Sequence, residues 1–125
     1  MTMDLAGPSL FRRTRDLHRV AMHEADLSFA ARGAGDTTAE REHGTQAWRL
    51  EEQAARSLLD HRDVEPSRSV LFRSAATLAH QWGTAPEAME LVRLGLDGNP
   101  PDSVRQELEE LRGLVRAGSP GVAPG

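Results

Sequence analysis

Nowhere along its 125 residues does this chain alternate β-branched and polar residues as a strand does; valine is scattered and threonine gathers near turns. Apolar residues recur instead at three- and four-residue intervals, the period of a helix with one buried face. The expected fold is all-α, with about five helices joined by short antiparallel connections.

Punctuation along the chain places those helices. A first helix is predicted over Leu10–Arg32, with Leu17, Val20, Ala21, Glu24, Leu27 and Ala31 on one side. Gly33-Ala34-Gly35-Asp36 ends it, since glycine accepts the left-handed C-cap geometry, and Asp36, Thr37 or Thr38 can cap the next helix. The second is predicted over Thr38–His61, with Ala47, Leu50, Ala54 and Leu58 as its stripe and Gly44 as an internal weak point. Its opening turns, Ala39 to His43, read as polar all round and projecting into solvent. Pro66 stops and restarts the chain, and a third helix runs from there to Trp82. The fourth is expected over Pro86–Leu96, and the fifth from Asp102 or Ser103 with Val104, Leu108, Leu111 and Val115 on one face. Residues 1–9, broken by Gly7-Pro8, and the Gly/Pro-rich tail 118–125 are expected to be disordered around a single domain over 10–117.

Composition excludes several classes of function. There is no cysteine, hence no disulfide, thiolate metal site or cysteine nucleophile. No run of about 18 apolar residues exists to span a membrane. The start MTMDLAGPSLFRRTR carries no long apolar stretch of a secretory leader, so the chain reads as cytoplasmic. All 15 basic residues are arginine, lysine, isoleucine and tyrosine are absent, and Asn99 is the sole asparagine, a bias typical of GC-rich bacterial genomes. Net charge is −4, so nucleic acid is disfavoured as a partner despite the basic cluster Arg12, Arg13, Arg15 and Arg19.

Candidate chemistry is sparse. His18 and His23 lie five apart rather than three or four, so they share a helix face poorly; with His43, His61 and His80 they read as solvated or capping histidines rather than metal ligands. Ser67, Ser69 and Ser74 have no neighbouring histidine to act as base, and Gly33-Ala34-Gly35 is a turn rather than a phosphate loop. The carboxylate pairs Glu51-Glu52, Glu87/Glu90 and Glu109-Glu110 read as solvated helix faces. No catalytic set, cofactor or metal is expected.

From Ser69 to Pro100 the chain resembles a tetratricopeptide repeat, a helix-turn-helix unit of about 34 residues. Phe72 stands at its first aromatic position, Ala75 and Ala76 at the paired packing positions, Gly83 on the turn, Ala88, Val92 and Gly95 at the second-helix packing positions, and Pro100 at the close. Ala79 departs from the pattern, which has tyrosine there. The run Glu65 to Phe72 is also similar to bacterial tetratricopeptide-like proteins. The resemblance implies a right-handed stack of helical hairpins, with Asp102 to Val115 as capping helix and the N-terminal hairpin as a degenerate repeat. It further implies a partner groove lined by the third helix at Val70, Arg73, Ser74, Thr77, His80 and Gln81. Some members clamp a peptide carboxylate with lysine and asparagine there; this chain offers Arg73 and Thr77.

The function expected is a non-catalytic protein-binding adaptor whose contact surface comprises Arg68, Arg73, Thr77, His80 and Gln81. The alternative is a self-associating structural or regulatory subunit of an enzyme, defence or signalling complex. A homodimer suits either, since a second copy can cover the open ends of a short stack.

Overall fold

The structure is a computed structural model that describes residues 6–118 and residue 120, with side chains from residue 9 onward. It contains five helices and, among the described residues, no strand: α1 Ala6–Gly33, α2 Thr37–Ser57, α3 Ser67–Trp82, α4 Ala85–Leu96 and α5 Asp102–Arg116. Each helix packs on the next in sequence, and α3 also touches α5. The all-α expectation therefore holds.

Local chemistry explains the boundaries. α1 opens at Ala6, within the segment expected to be broken, because Pro8 falls in the first turn, where its missing N–H has no helical partner to lose. Gly35, at φ +74, closes it: the Gly35 N–H donates to the Arg32 carbonyl and the Asp36 N–H reaches back to that of Ala31. The Asp36 carboxylate then accepts from the Ala39 N–H and starts α2. Thr84 and Glu87 form a reciprocal capping box on α4. α2 stops at Ser57, earlier than His61, and a series of turns leads to α3. The disorder expected at residues 1–5, 119 and 121–125 lies outside the described residues.

The apolar core belongs to α2 through α5. Trp48, Leu58, Phe72, Leu91, Val92, Leu108 and their neighbours form one buried cluster, and the four predicted α5 positions Val104, Leu108, Leu111 and Val115 all enter it. α1 lies outside that cluster apart from partly buried Leu10 and Leu17.

The line α1 buries most deeply against α2 is Thr14, Ala21 and Ser28, spaced seven apart; of the predicted side Ala21 lies on it, Leu17, Glu24, Leu27 and Ala31 are half-buried, and Val20 is turned away. Val20 is 43% exposed. Small side chains win this face because two long helices can approach closely only where side chains are short, and the hydroxyls there find partners across the seam.

Gly44 is not a weak point but a seat. The Trp82 indole lies against it so closely that a Cβ would stand 2.6 Å from Cζ2. Gly83 receives Trp48 in the same way, at 2.8 Å from Cη2. These two glycine–tryptophan contacts join α2 to the end of α3.

Candidate functional site

The α1–α2 seam is held by polar pairs along its length. Thr14 and Ser57 share a hydroxyl hydrogen bond of 2.5 Å. His18 Nδ1 lies 2.9 Å from both carboxylate oxygens of Glu51, which is fully buried. Further along, Glu24 and His43 pair at 2.8 Å with acid and base exchanged between the helices, and the Ser28 hydroxyl donates to the Glu40 carbonyl. The opening turns of α2 are thus packed on α1 rather than projecting into solvent. His18 and His43 are hydrogen-bonded to carboxylates across the seam rather than simply solvated. Glu51 is interior, whereas adjacent Glu52 pairs with Arg56 near the surface. Glu51 was missed because it sits beside another glutamate in a charged run; its only sequence signal is its place on the same helical line as buried Ala47, Ala54 and Leu58.

Arg68 is also interior, which corrects its place on the expected contact surface. The residue is 0% exposed. Its Nε donates to the Leu59 carbonyl beyond the end of α2, and Nη1 to the Leu94 carbonyl near the end of α4. Both carbonyls stand at the negative ends of their helix dipoles, which is why a guanidinium is tolerated there. Burial, and next the charge of Arg62, hold the Arg68 pKa below the usual arginine value, while Glu65 and Asp97 act in the opposite direction. The same junction is closed by Arg62 on the Asp97 carboxylate and carbonyl, and by Glu65, which accepts from the Ser69 N–H and hydroxyl and from the Asn99 N–H. Gly98 leaves room for it, since a Cβ there would stand 3.0 Å from the Glu65 carboxylate and strike the Arg68 guanidinium.

The other four predicted contact residues lie together on α3, all half-buried. Arg73 is ion-paired with Glu107 of α5 at 2.7 Å, so its guanidinium is already engaged within the chain. The Thr77 hydroxyl donates back to the Arg73 carbonyl. Gln81 lines a small cavity of about 220 Å³ between α1 and the end of α3, with Phe29, Arg32, Leu78 and Trp82. The Nη1 of Arg32 is buried without a hydrogen-bond partner among the described residues.

A second cavity, of about 450 Å³, opens at the other end of α1. Apolar walls come from Phe11, Leu58, Val64, Val70 and Leu71, and polar groups from Arg15, His18, Thr14 and Ser67. On α1, Phe11 and Phe29 are eighteen residues apart, five full turns, and so share one face about 27 Å apart at 1.5 Å per residue. They are 48% and 67% exposed. Both ends of the depression between α1 and α3 therefore carry an exposed phenylalanine. Sequence reasoning missed this α1 contribution because it gave Phe11 no role and placed the partner groove on α3 alone.

Among the described residues no three His, Asp or Glu side chains cluster to hold a metal ion, and no helix is long and apolar enough to cross a membrane. Comparison with family models, with curated proteins and with solved structures gave no match.

Proposed function

We propose that this chain is a non-catalytic protein-binding module of the tetratricopeptide-like kind, and that its contact surface is the depression between α1 and α3. The observation that carries this reading is the end lined by Phe29 and Gln81. There a 67% exposed phenylalanine and the buried, unmatched Arg32 Nη1 stand together. A monomeric protein has no packing reason to leave an aromatic ring in water beside an unsatisfied guanidinium donor; a partner with an apolar side chain and an acceptor answers both. The surface is thus Thr77, His80 and Gln81 of α3 with Phe29 and Arg32 of α1. Arg68 serves the interior, and Arg73 contributes through its pair with Glu107.

The test is affinity capture from a bacterial lysate with the purified chain as bait, followed by titration of the captured protein. Phe29→Ala and Gln81→Ala are expected to weaken that complex at least about tenfold, the scale of a lost aromatic anchor, while Val20→Ala on the far side of α1 leaves it unchanged. Equal binding by all variants removes the surface assignment.

Self-association is the second reading, and one observation favours it. The large exposed apolar residues Phe11, Val20, Phe29 and Leu114 all sit on the two terminal helices, α1 and α5. A second copy packed on the face of α1 that carries Phe11 and Phe29 would cover those two rings. A light-scattering mass that stays monomeric through the high-micromolar range rules this out.

A further inference from the structure

The cavity between the beginnings of α1 and α3 has a composition that the partner surface does not explain. Its volume of about 450 Å³ falls within the range of small-molecule sites, roughly 300–1,000 Å³. Five of its residues are large and apolar, enough to enclose a hydrocarbon body. Its charged lining is of one sign. Arg15 makes no ion pair with any described residue, and no carboxylate lines the cavity. Glu51, the acid paired with the lining residue His18, is matched to it at 2.9 Å.

That pairing fixes the chemistry of His18. The ring meets both oxygens of a fully buried carboxylate through Nδ1, so Nδ1–H is the donor to Glu51. A carboxylate that orients an imidazole in this way fixes its tautomer and ring plane and leaves the opposite nitrogen an acceptor, so His18 shapes the wall and does not itself hold an anion. Arg15 and His18 are three residues apart on α1 and so stand side by side on one wall. Ser67 adds a hydroxyl with no partner among the described residues from the opposite side, at the first turn of α3.

We propose that this cavity binds a small monoanionic amphiphile: an apolar body seated among Leu58, Val64, Val70 and Leu71, with a carboxylate head held by the Arg15 guanidinium and the Ser67 hydroxyl. Charge selects the head, because a cationic head would face Arg15 unscreened and a neutral one would forgo its charge-assisted hydrogen bond. Phe11, 48% exposed at the rim, lies against the apolar body. The site is separate from the Phe29–Gln81 end of the depression and does not depend on the partner reading.

Decanoate is the probe, titrated into the purified chain by calorimetry below its micelle concentration and followed by amide NMR. One decanoate per chain is expected, with amide shifts confined to the early turns of α1, the α2–α3 connection and the start of α3. Decyltrimethylammonium and decan-1-ol are expected to bind roughly tenfold more weakly or not at all, and Arg15→Ala to lose roughly tenfold in decanoate affinity, the scale of one charge-assisted hydrogen bond. Arg15 is exposed, so that variant keeps its fold; Val70→Phe, which fills the cavity without altering charge, is expected to abolish binding. Absence of decanoate binding, equal binding of the cationic or neutral chain, unchanged affinity in Arg15→Ala, or shifts centred instead on the other arginine-lined cavity, which Met89 and Arg93 of α4 form with Arg112 of α5, would each overturn the proposal. None of these outcomes bears on capture of a partner at Phe29 and Gln81.

Discussion

Trp82 rests its indole on Gly44, thirty-eight residues earlier in the chain, and the contact leaves no space for a Cβ. Two effects of opposite sign therefore meet at that position. Alanine is the better helix former by about 1 kcal/mol. Overpacking a close contact costs about 1–3 kcal/mol. The atoms met belong to a rigid indole rather than to the flexible end of a side chain, so the second effect wins, and Gly44→Ala is expected to lower stability by about 1–2 kcal/mol in urea unfolding. The loss should shrink in a Trp82→Leu background; if Gly44→Ala stabilises the protein, the indole is not seated there.

Arg68 bridges carbonyls from the ends of two different helices, a span that needs the fork of a guanidinium. Lysine keeps the charge but meets one carbonyl at a time. Arg68→Lys is expected to cost about 1–3 kcal/mol, as for a buried acceptor left unpaired. The same substitution at Arg73, in an exposed pair with Glu107, is expected to change stability by less than about 1 kcal/mol. Denaturant midpoints of the two variants make the comparison directly.

The His18–Glu51 pair invites a reversal test. His18→Leu strands a fully buried carboxylate, and is expected to destabilise by about 2–4 kcal/mol, a little below the cost of breaking a wholly buried pair because His18 is partly exposed. Adding Glu51→Leu removes the stranded charge and is expected to recover most of that loss, since apolar replacement of a buried pair is often neutral. A double variant less stable than His18→Leu alone would mean that Glu51 is held by something other than His18.

On α1, adjacent residues are expected to respond in opposite ways. Val20→Ala, on the exposed side, should stay within about 0.5 kcal/mol of the parent. Ala21→Leu, against α2, should cost about 1–3 kcal/mol by forcing the helices apart. Thermal unfolding of the two variants checks this; a loss of more than about 1 kcal/mol in Val20→Ala would mean that Val20 is packed rather than exposed.

What the sequence by itself determined is local. The helical period, the Gly35 and Asp36 boundary, the restart at Pro66 and the apolar line of α5 all depend on residues within one or two turns of each other, and each stands in the structure as expected. What only the tertiary structure decided is which polar groups are inside. Glu51 and Glu52 are neighbours of identical chemistry, yet one is buried and the other is not, because His18 waits thirty-three residues away on the facing helix. Arg68 lies in an arginine- and serine-rich run that reads as surface, and is interior because two helix ends converge on it. Gly44 reads as a flaw until Trp82 is set against it. The physical reason is common to all three. A charge or a gap is costly or useful according to what the rest of the chain brings to it, and that partner is distant in sequence.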